Sequence, residues 1–402
     1  MTASPDGQNV PLHRQTLDSH TPQSQVSLAE LALVFLKLGT MAFGGPAAHI
    51  AMMEGEFVRK RRWITQDELL DRLAAASLIP GPSSTEVAIF VGQAKRGWAG
   101  LIVAGCCFII PAAVLVTLIA AVYVRFGALP QVSGVLYGIK PAVIAIILQA
   151  LWSLARTATK TRFLAAIGAI AVFLSTIGMA PLAVLAIAGF VSGGWWWLRQ
   201  QKRIAPAAVP LSKSFALLAG TAAMTAFVPV SLIRLFLSFL KIGSVVFGSG
   251  YVLLAFLRAE FINHLHWLTE QQLIDAVAVG QFTPGPVFTT ATFIGYLVAG
   301  MPGAFVATVG IFIPGFILVA LSGPLLPLVR RSALAAAILD GVVVGSLGLM
   351  AVVAWQLGRA SIVDWRTLII LIAAVVLLVR FRVNSAWIIA GAAVTGLLVH
   401  WF

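Results

Sequence analysis

Long, unbroken apolar runs constrain this chain more than any other feature. Segments of 17 residues or more occupy approximately 28–53, 70–94, 98–124, 132–155, 162–179, 181–198, 212–229, 231–257, 272–298, 302–329, 333–358, 364–380 and 384–402. A helix needs about 20 apolar residues to cross the hydrocarbon of a bilayer. The runs are continuous rather than alternating, which excludes a transmembrane β-barrel. The chain is 60% apolar and 10% charged, against about 45–50% and 25% for soluble domains. A soluble fold of that composition lacks the polar groups to cover its surface. A cytosolic enzyme and a disordered chain are both excluded. The expected fold is an all-α polytopic membrane protein of about thirteen transmembrane segments, with the lipid bilayer as its surroundings.

Lys and Arg number 27 and Asp and Glu 14, a net charge of +13. In a soluble chain that balance would suggest nucleic acid. Here the cations sit in short loops between apolar runs, the positive-inside pattern, and nucleic acid is not expected as a partner. Residues 1–26 are polar and have no apolar core, so they are expected to form a disordered cytoplasmic tail rather than a signal peptide. With the N-terminus cytoplasmic and all segments crossing, the basic loops fall inside, except Arg59, Lys60, Arg61 and Arg62. Nearby acids offset that run, or segments 28–53 and 70–94 are re-entrant and return it to the cytoplasm; the sequence leaves both open. Cys106 and Cys107 are adjacent within an apolar run, and His264 and His266 have no companion ligands. No metal or other cofactor is expected. There is no Walker A loop, Ser/His/Asp set or Cys/His cluster, so neither an enzyme nor an ATP-driven pump is expected.

The chain repeats itself. Displaced by 204, residues 27–82 align on 231–286 without a gap, with 21 of 56 pairs identical. The match continues at an offset of 203 through Gly92/Gly295, Gly97/Gly300, Gly100/Gly303, Pro111/Pro314, Gly138/Gly341 and Trp152/Trp355. The expected organisation is a first transporter repeat at 27–200, a linker with an extra membrane segment at 201–230, and a second repeat at 231–402. The first unit holds an even number of segments, so one extra crossing turns the second copy over. Inverted-topology repeats of this kind are the layout of many secondary transporters. A duplication kept only for packing is the plainer alternative.

Two motifs occur in both copies. The first runs Phe35-Leu36-Lys37-Leu38-Gly39 to Phe43-Gly44-Gly45-Pro46, and again Phe239-Leu240-Lys241-Ile242-Gly243 to Phe247-Gly248-Ser249-Gly250. Glycine at this density weakens a helix and allows the chain to approach a ligand closely. Unwound backbone at membrane depth is tolerated only where it lines protein or a cavity. Lys37 and Lys241 lie inside their runs, and each is either a snorkelling cation or an anchor for an anionic substrate.

The second motif is Pro80-Gly81-Pro82-Ser83-Ser84-Thr85-Glu86, and again Pro284-Gly285-Pro286-Val287-Phe288-Thr289-Thr290. The prolines stop one helix and start another. The new helix presents free N–H groups and a positive dipole end, an oxyanion site, with hydroxyls from Ser83, Ser84, Thr85, Thr289 and Thr290 beside it. A kinked helix whose hydroxyls bond the preceding turn is the alternative. Helices broken at matching places in two halves are the best sequence pointer to a transport site. Glu86 follows the first break, without a counterpart in the second copy; it is expected to carry a coupling proton or to pair with a Lys, or else to sit at an interface. Asp71 and Asp275 match at segment starts, where they favour helix N-termini.

These paired motifs, over about 27–402, resemble the chromate ion transporter family in its long, two-domain form. The resemblance implies a multi-pass protein of the bacterial inner membrane that exports chromate and confers resistance to it, with sulfate as competitor. The expected substrate-binding residues are the Lys, Gly and Pro-Gly-Pro positions above, with their Ser and Thr. Ser249 departs from the Gly-Gly of the first copy, which leaves sulfate or another anion as the alternative substrate. An anion channel, a membrane-embedded enzyme and a homodimer also stay open.

Overall fold

The computed structural model describes residues 26–43, 46–126, 130–201, 230–247, 250 and 252–401. The described residues form helices and no strands. Apart from their boundary residues, the expected tail at 1–26 and the expected linker segment at 201–230 lie outside them.

Two series of helices follow the same order. The first is α1 (Leu28–Met41), α2 (Pro46–Met53), α3 (Gln66–Ala76), α4 (Ser83–Phe126), α5 (Pro130–Ala158), α6 (Arg162–Thr176) and α7 (Pro181–Gln201). The second is α8 (Leu232–Gly243), α9 (Leu253–Leu257), α10 (Glu270–Phe282), α11 (Thr290–Arg331), α12 (Ala333–Ser361), α13 (Trp365–Val379) and α14 (Ser385–Trp401). The likeness reaches fine detail. α2 and α9 run into π-helical turns, Glu54–Lys60 and Arg258–His264. Arg62 and His266 then adopt matching positive φ angles of 52° and 55°. Thr65 and Thr269 cap α3 and α10 through capping boxes with Glu68 and Gln272.

Among the described residues, five helices are long and apolar enough to cross a membrane: Ser83–Phe126, Val132–Ala158, Pro181–Gln200, Val287–Ser322 and Ala333–Ser361. Four of the expected segments, 28–53, 70–94, 231–257 and 272–298, are not single helices. Each is divided in two, at the Gly-rich motif or at Pro-Gly-Pro. The reason is local. Pro80 and Pro82, and Pro284 and Pro286, lack the N–H that would carry a helix onward, so α3 ends at Ala76 and α10 at Phe282. The resulting pieces are short: α1 has 14 residues and α3 has 11. At 1.5 Å per residue these reach about 21 and 16 Å, against about 30 Å of hydrocarbon.

The pieces fold back on each other. Glu30 near the start of α1 binds Arg61 at 2.5 Å, beyond the end of the π turn. Phe35 of α1 meets Phe57 at 5.2 Å between ring centres. The two arms of this first hairpin therefore lie side by side. α4 is itself bent at Arg96 and Gly97, and α11 at Ala299 and Gly300, where the glycines take φ of 58° and 60°. Beyond each bend the arms touch: a Cβ on Gly92 would strike the Gly100 carbonyl, and one on Gly295 the Gly303 carbonyl. The short arm of α4, 83–95, ends with Lys95 in electrostatic reach of Glu68 and Arg72 on α3. That arm and α3 form a second hairpin.

The two series pack through small residues, as helices in lipid do. α5 lies on α14, where Gly138 faces Ala392 and Gly396 faces Gly134. α7 lies on α12, where Gly189 faces Val342 and Gly193 faces Ile338 and Leu334. In both pairs residue numbers rise on one helix as they fall on the other, so the helices are antiparallel.

Candidate functional site

The four helix breaks meet in two pairs, each Pro-Gly-Pro against the broken end of the opposite series. The Gly81 N–H donates to the Val246 carbonyl at 2.8 Å, and the Gly285 N–H donates to the Ala42 carbonyl at 2.9 Å. Ala42 and Val246 are equivalent positions at the repeat offset of 204, so the two hydrogen bonds are one contact made twice. Gly81 has φ of 139° and Gly285 of 97°, a region that L side chains avoid. Space forbids substitution as well. A Cβ on Gly285 would lie 2.6 Å from the Ala112 Cβ, and one on Gly81 would overlap the Glu86 carboxyl.

Pro80, Gly81, Pro82, Ser84, Thr85 and Glu86 are buried around the first break, with Ser83 half-buried. Pro284, Gly285, Pro286, Thr289 and Thr290 are buried around the second. The two differ in chemistry. The Thr289 hydroxyl donates to the Pro286 carbonyl and that of Thr290 to the Val287 carbonyl, each at 2.8 Å. Both protons are used within their own turn. At the first break Ser84 Oγ lies 3.2 Å from His49 Nδ1. Thr85 Oγ1 and both carboxyl oxygens of Glu86 have no hydrogen-bond partner among the described residues, and Glu86 is 0% exposed. An unpaired carboxylate in such a place costs several kcal/mol, and even an unsatisfied neutral donor costs about 1–3 kcal/mol. The sequence led us to expect ligand-ready hydroxyls in both copies; of the buried hydroxyls at the two breaks, the one without a partner among the described residues, Thr85, lies in the first.

Lys37 and Lys241 lie on exposed faces of α1 and α8. Lys241 Nζ binds Glu260 Oε2 at 2.8 Å, and Glu260 also accepts from Ser238 at 3.1 Å. Lys37 is in electrostatic reach of the matching Glu56, which Arg61 also holds at 2.9 Å. Each lysine thus sits beside a glutamate of its own hairpin. Lys241, Arg258, Glu260, Asn263 and His264 line a cleft of about 430 Å³. Gly44, Gly45, Gly248 and Ser249 lie outside the described residues.

Three polar residues, one buried and two half-buried, were not singled out in the sequence. His49 is 1% exposed on α2 beside Ser84. Lys140 on α5 binds Asp275 of α10 at 3.1 Å, with side chains 17% and 4% exposed. Tyr123 donates to the other oxygen of Asp275 at 2.8 Å. The signal for Lys140 and His49 was present, since an ionisable residue inside an apolar span is a functional candidate by default. Asp71, the repeat partner of Asp275, is exposed. The sequence treated these two aspartates as equivalent helix-start residues, and the structure separates them.

The first break thus leaves an unsatisfied hydroxyl and carboxyl group buried at a helix start. The chain is 35% identical to the chromate transport protein of Cupriavidus metallidurans, over 93% of this chain and 94% of that one. It is 32% identical to the probable chromate transport protein of Synechococcus elongatus, over 87% and 89%. It is 30% identical to the chromate transport protein of Pseudomonas aeruginosa, over 84% and 82%. No solved structure matches it. The family described as chromate transporter matches twice, at residues 29–193 and again at 233–397, one match for each helix series. With both halves of the chain covered, this multi-pass membrane protein belongs to the chromate transporter family.

Proposed function

We propose that the protein exports chromate, or a tetrahedral oxyanion of the same shape, across the bacterial inner membrane by alternating access, and so confers chromate resistance. The observation that carries this is the reciprocal pair of hydrogen bonds, Gly81 to Val246 and Gly285 to Ala42. It joins the broken helices of both series through two buried contacts, and broken helices at a repeat interface are where secondary transporters hold their substrates.

In this reading the series are inverted repeats. α5, α6 and α7 are joined by short loops, so α5 and α7 run the same way; α7 is antiparallel to α12, the counterpart of α5. The unit at 27–200 and the unit at 231–402 would be joined by a crossing within 201–230. The segments at 28–53 and 70–94, and their counterparts, would re-enter rather than cross. That places Arg59 to Arg62 in the cytoplasm with the N-terminus, in keeping with the positive-inside pattern. The substrate would meet the hydroxyl donors of Ser83, Ser84 and Thr85 after Pro80-Gly81-Pro82 and lie against the break at Pro284 to Thr290, together with the Gly44-Gly45 and Gly248-Ser249 segments. Lys37 and Lys241 would draw anions to the hairpins from their exposed positions. Sulfate, a dianion of like shape, would compete.

The test is chromate uptake into energised everted inner-membrane vesicles, with and without excess sulfate. Uptake that depends on the protein and falls with sulfate is the expected result. No uptake with the protein present would remove chromate as substrate.

A further inference from the structure

Glu86 combines three features that point to a ligand. It opens the short arm of α4 directly after the Pro-Gly-Pro break. It is wholly buried, and neither carboxyl oxygen has a hydrogen-bond partner among the described residues. It also lies against the glycine that bonds the opposite series, since a Cβ on Gly81 would overlap its Oε1 and one on Gly315 of α11 would stand 3.9 Å from the same atom. No cation is supplied by these neighbours: Gly81, Gly315 and Val246 carry no charge. The titratable group on the adjoining helix α2 is His49, which reaches Ser84, two residues from Glu86. The matching stretch of the second copy, Val287 to Thr290, holds no acid.

A carboxylate facing an oxyanion repels it. A carboxylic acid does the opposite: it presents one O–H donor, and here that donor lacks an acceptor. The unsatisfied hydroxyl of Thr85 stands next to it in sequence. We propose that Glu86 takes up one proton together with each transported oxyanion and donates that O–H to an oxygen of the anion, so that proton and anion occupy the site jointly. The inference rests on the oxyanion-transporter reading above. It fixes the sign of the coupling: proton and anion favour each other and travel in the same direction. It also gives the break in the first copy a role that the second, with its threonine protons used internally, does not share.

The experiment is anion binding to the purified full chain in detergent, followed by calorimetry in buffers of different ionisation enthalpy. The probes are sulfate, which stays a dianion near neutral pH, and chromate on the alkaline side of its own protonation. On the alkaline side of the Glu86 titration the wild type should take up about one proton per anion bound, and there its affinity should fall about tenfold for each unit that the pH rises. Glu86→Gln, whose amide donates its own N–H and does not titrate, should bind either anion with no proton uptake and a flat pH profile. His49→Gln should keep the proton count. Binding by the wild type without proton uptake, and without a fall in affinity, at any pH up to the alkaline end of the range overturns the proposal and leaves the transporter reading intact. So does a proton count that survives in Glu86→Gln, or one lost only in His49→Gln. If Glu86→Gln does not fold, the proton count of the wild type and of His49→Gln still decides. Absence of any anion binding by the folded wild type overturns the transporter reading and the proposal with it.

Discussion

At the scale of single residues, the breaks explain why glycine stands between the prolines. Gly81 and Gly285 hold positive φ and present their amides across to the other series, with another residue's atoms where a Cβ would go. Gly285→Ala should therefore abolish transport in the vesicle assay at normal membrane level, because Ala112 leaves no room and L residues resist the backbone angle. Wild-type uptake in that variant would remove the break from the mechanism. The hydroxyls should divide unequally. Thr85→Val should lower transport about tenfold, the worth of one hydrogen bond of about 1.4 kcal/mol to the anion. Thr289→Val, whose hydroxyl proton already serves its own turn, should stay within about twofold. Equal losses would show that the asymmetry seen here does not bear on transport. The glycines and prolines were legible in the sequence because backbone constraint leaves a residue signature. The division of labour among Ser84, Thr85, Thr289 and Thr290 was not legible, since a hydroxyl reads the same whether it bonds its own turn or faces a void.

At the scale of elements, the apolar runs marked hydrophobic stretches but not whether a stretch is one helix or two. Hydropathy is blind to a reversal of direction inside a run, so 70–94 read as one segment although Pro80 and Pro82 divide it. Lys140 was hidden for a related reason: a single cation hardly alters the mean of an apolar run, and its partner Asp275 lies 135 positions away, since 275 − 140 = 135. That pair, with Tyr123, ties α10 to α5 and α4. Removing one partner of a buried pair leaves the other uncompensated, at about 3–5 kcal/mol, whereas replacing both by apolar residues is often neutral. Lys140→Met and Asp275→Leu should each lower the thermal unfolding temperature clearly, and the double variant should recover most of the loss. Additive losses in the double variant would show that the two side chains are not coupled.

At the scale of the whole molecule, the duplication was the most legible feature, because identity at a fixed offset does not depend on knowing any contact. Two family matches, one per series, and paired details such as the bends at Gly97 and Gly300 follow from it. What the offset alone leaves open is the relative orientation of the two units, and the proposed inversion makes a direct prediction. Arg59 and Asn263 are equivalent at the offset of 204, and both are exposed. If the units are inverted and the first hairpins re-enter, these two positions face opposite sides of the membrane. With Cys106 and Cys107 first replaced by alanine, Arg59→Cys should react with a membrane-impermeant maleimide in everted vesicles and not in intact cells, while Asn263→Cys should show the reverse. Labelling of both from one side would make the units parallel. Alternating access by exchange of their conformations would then lose its geometric basis, even if the breaks still held an anion.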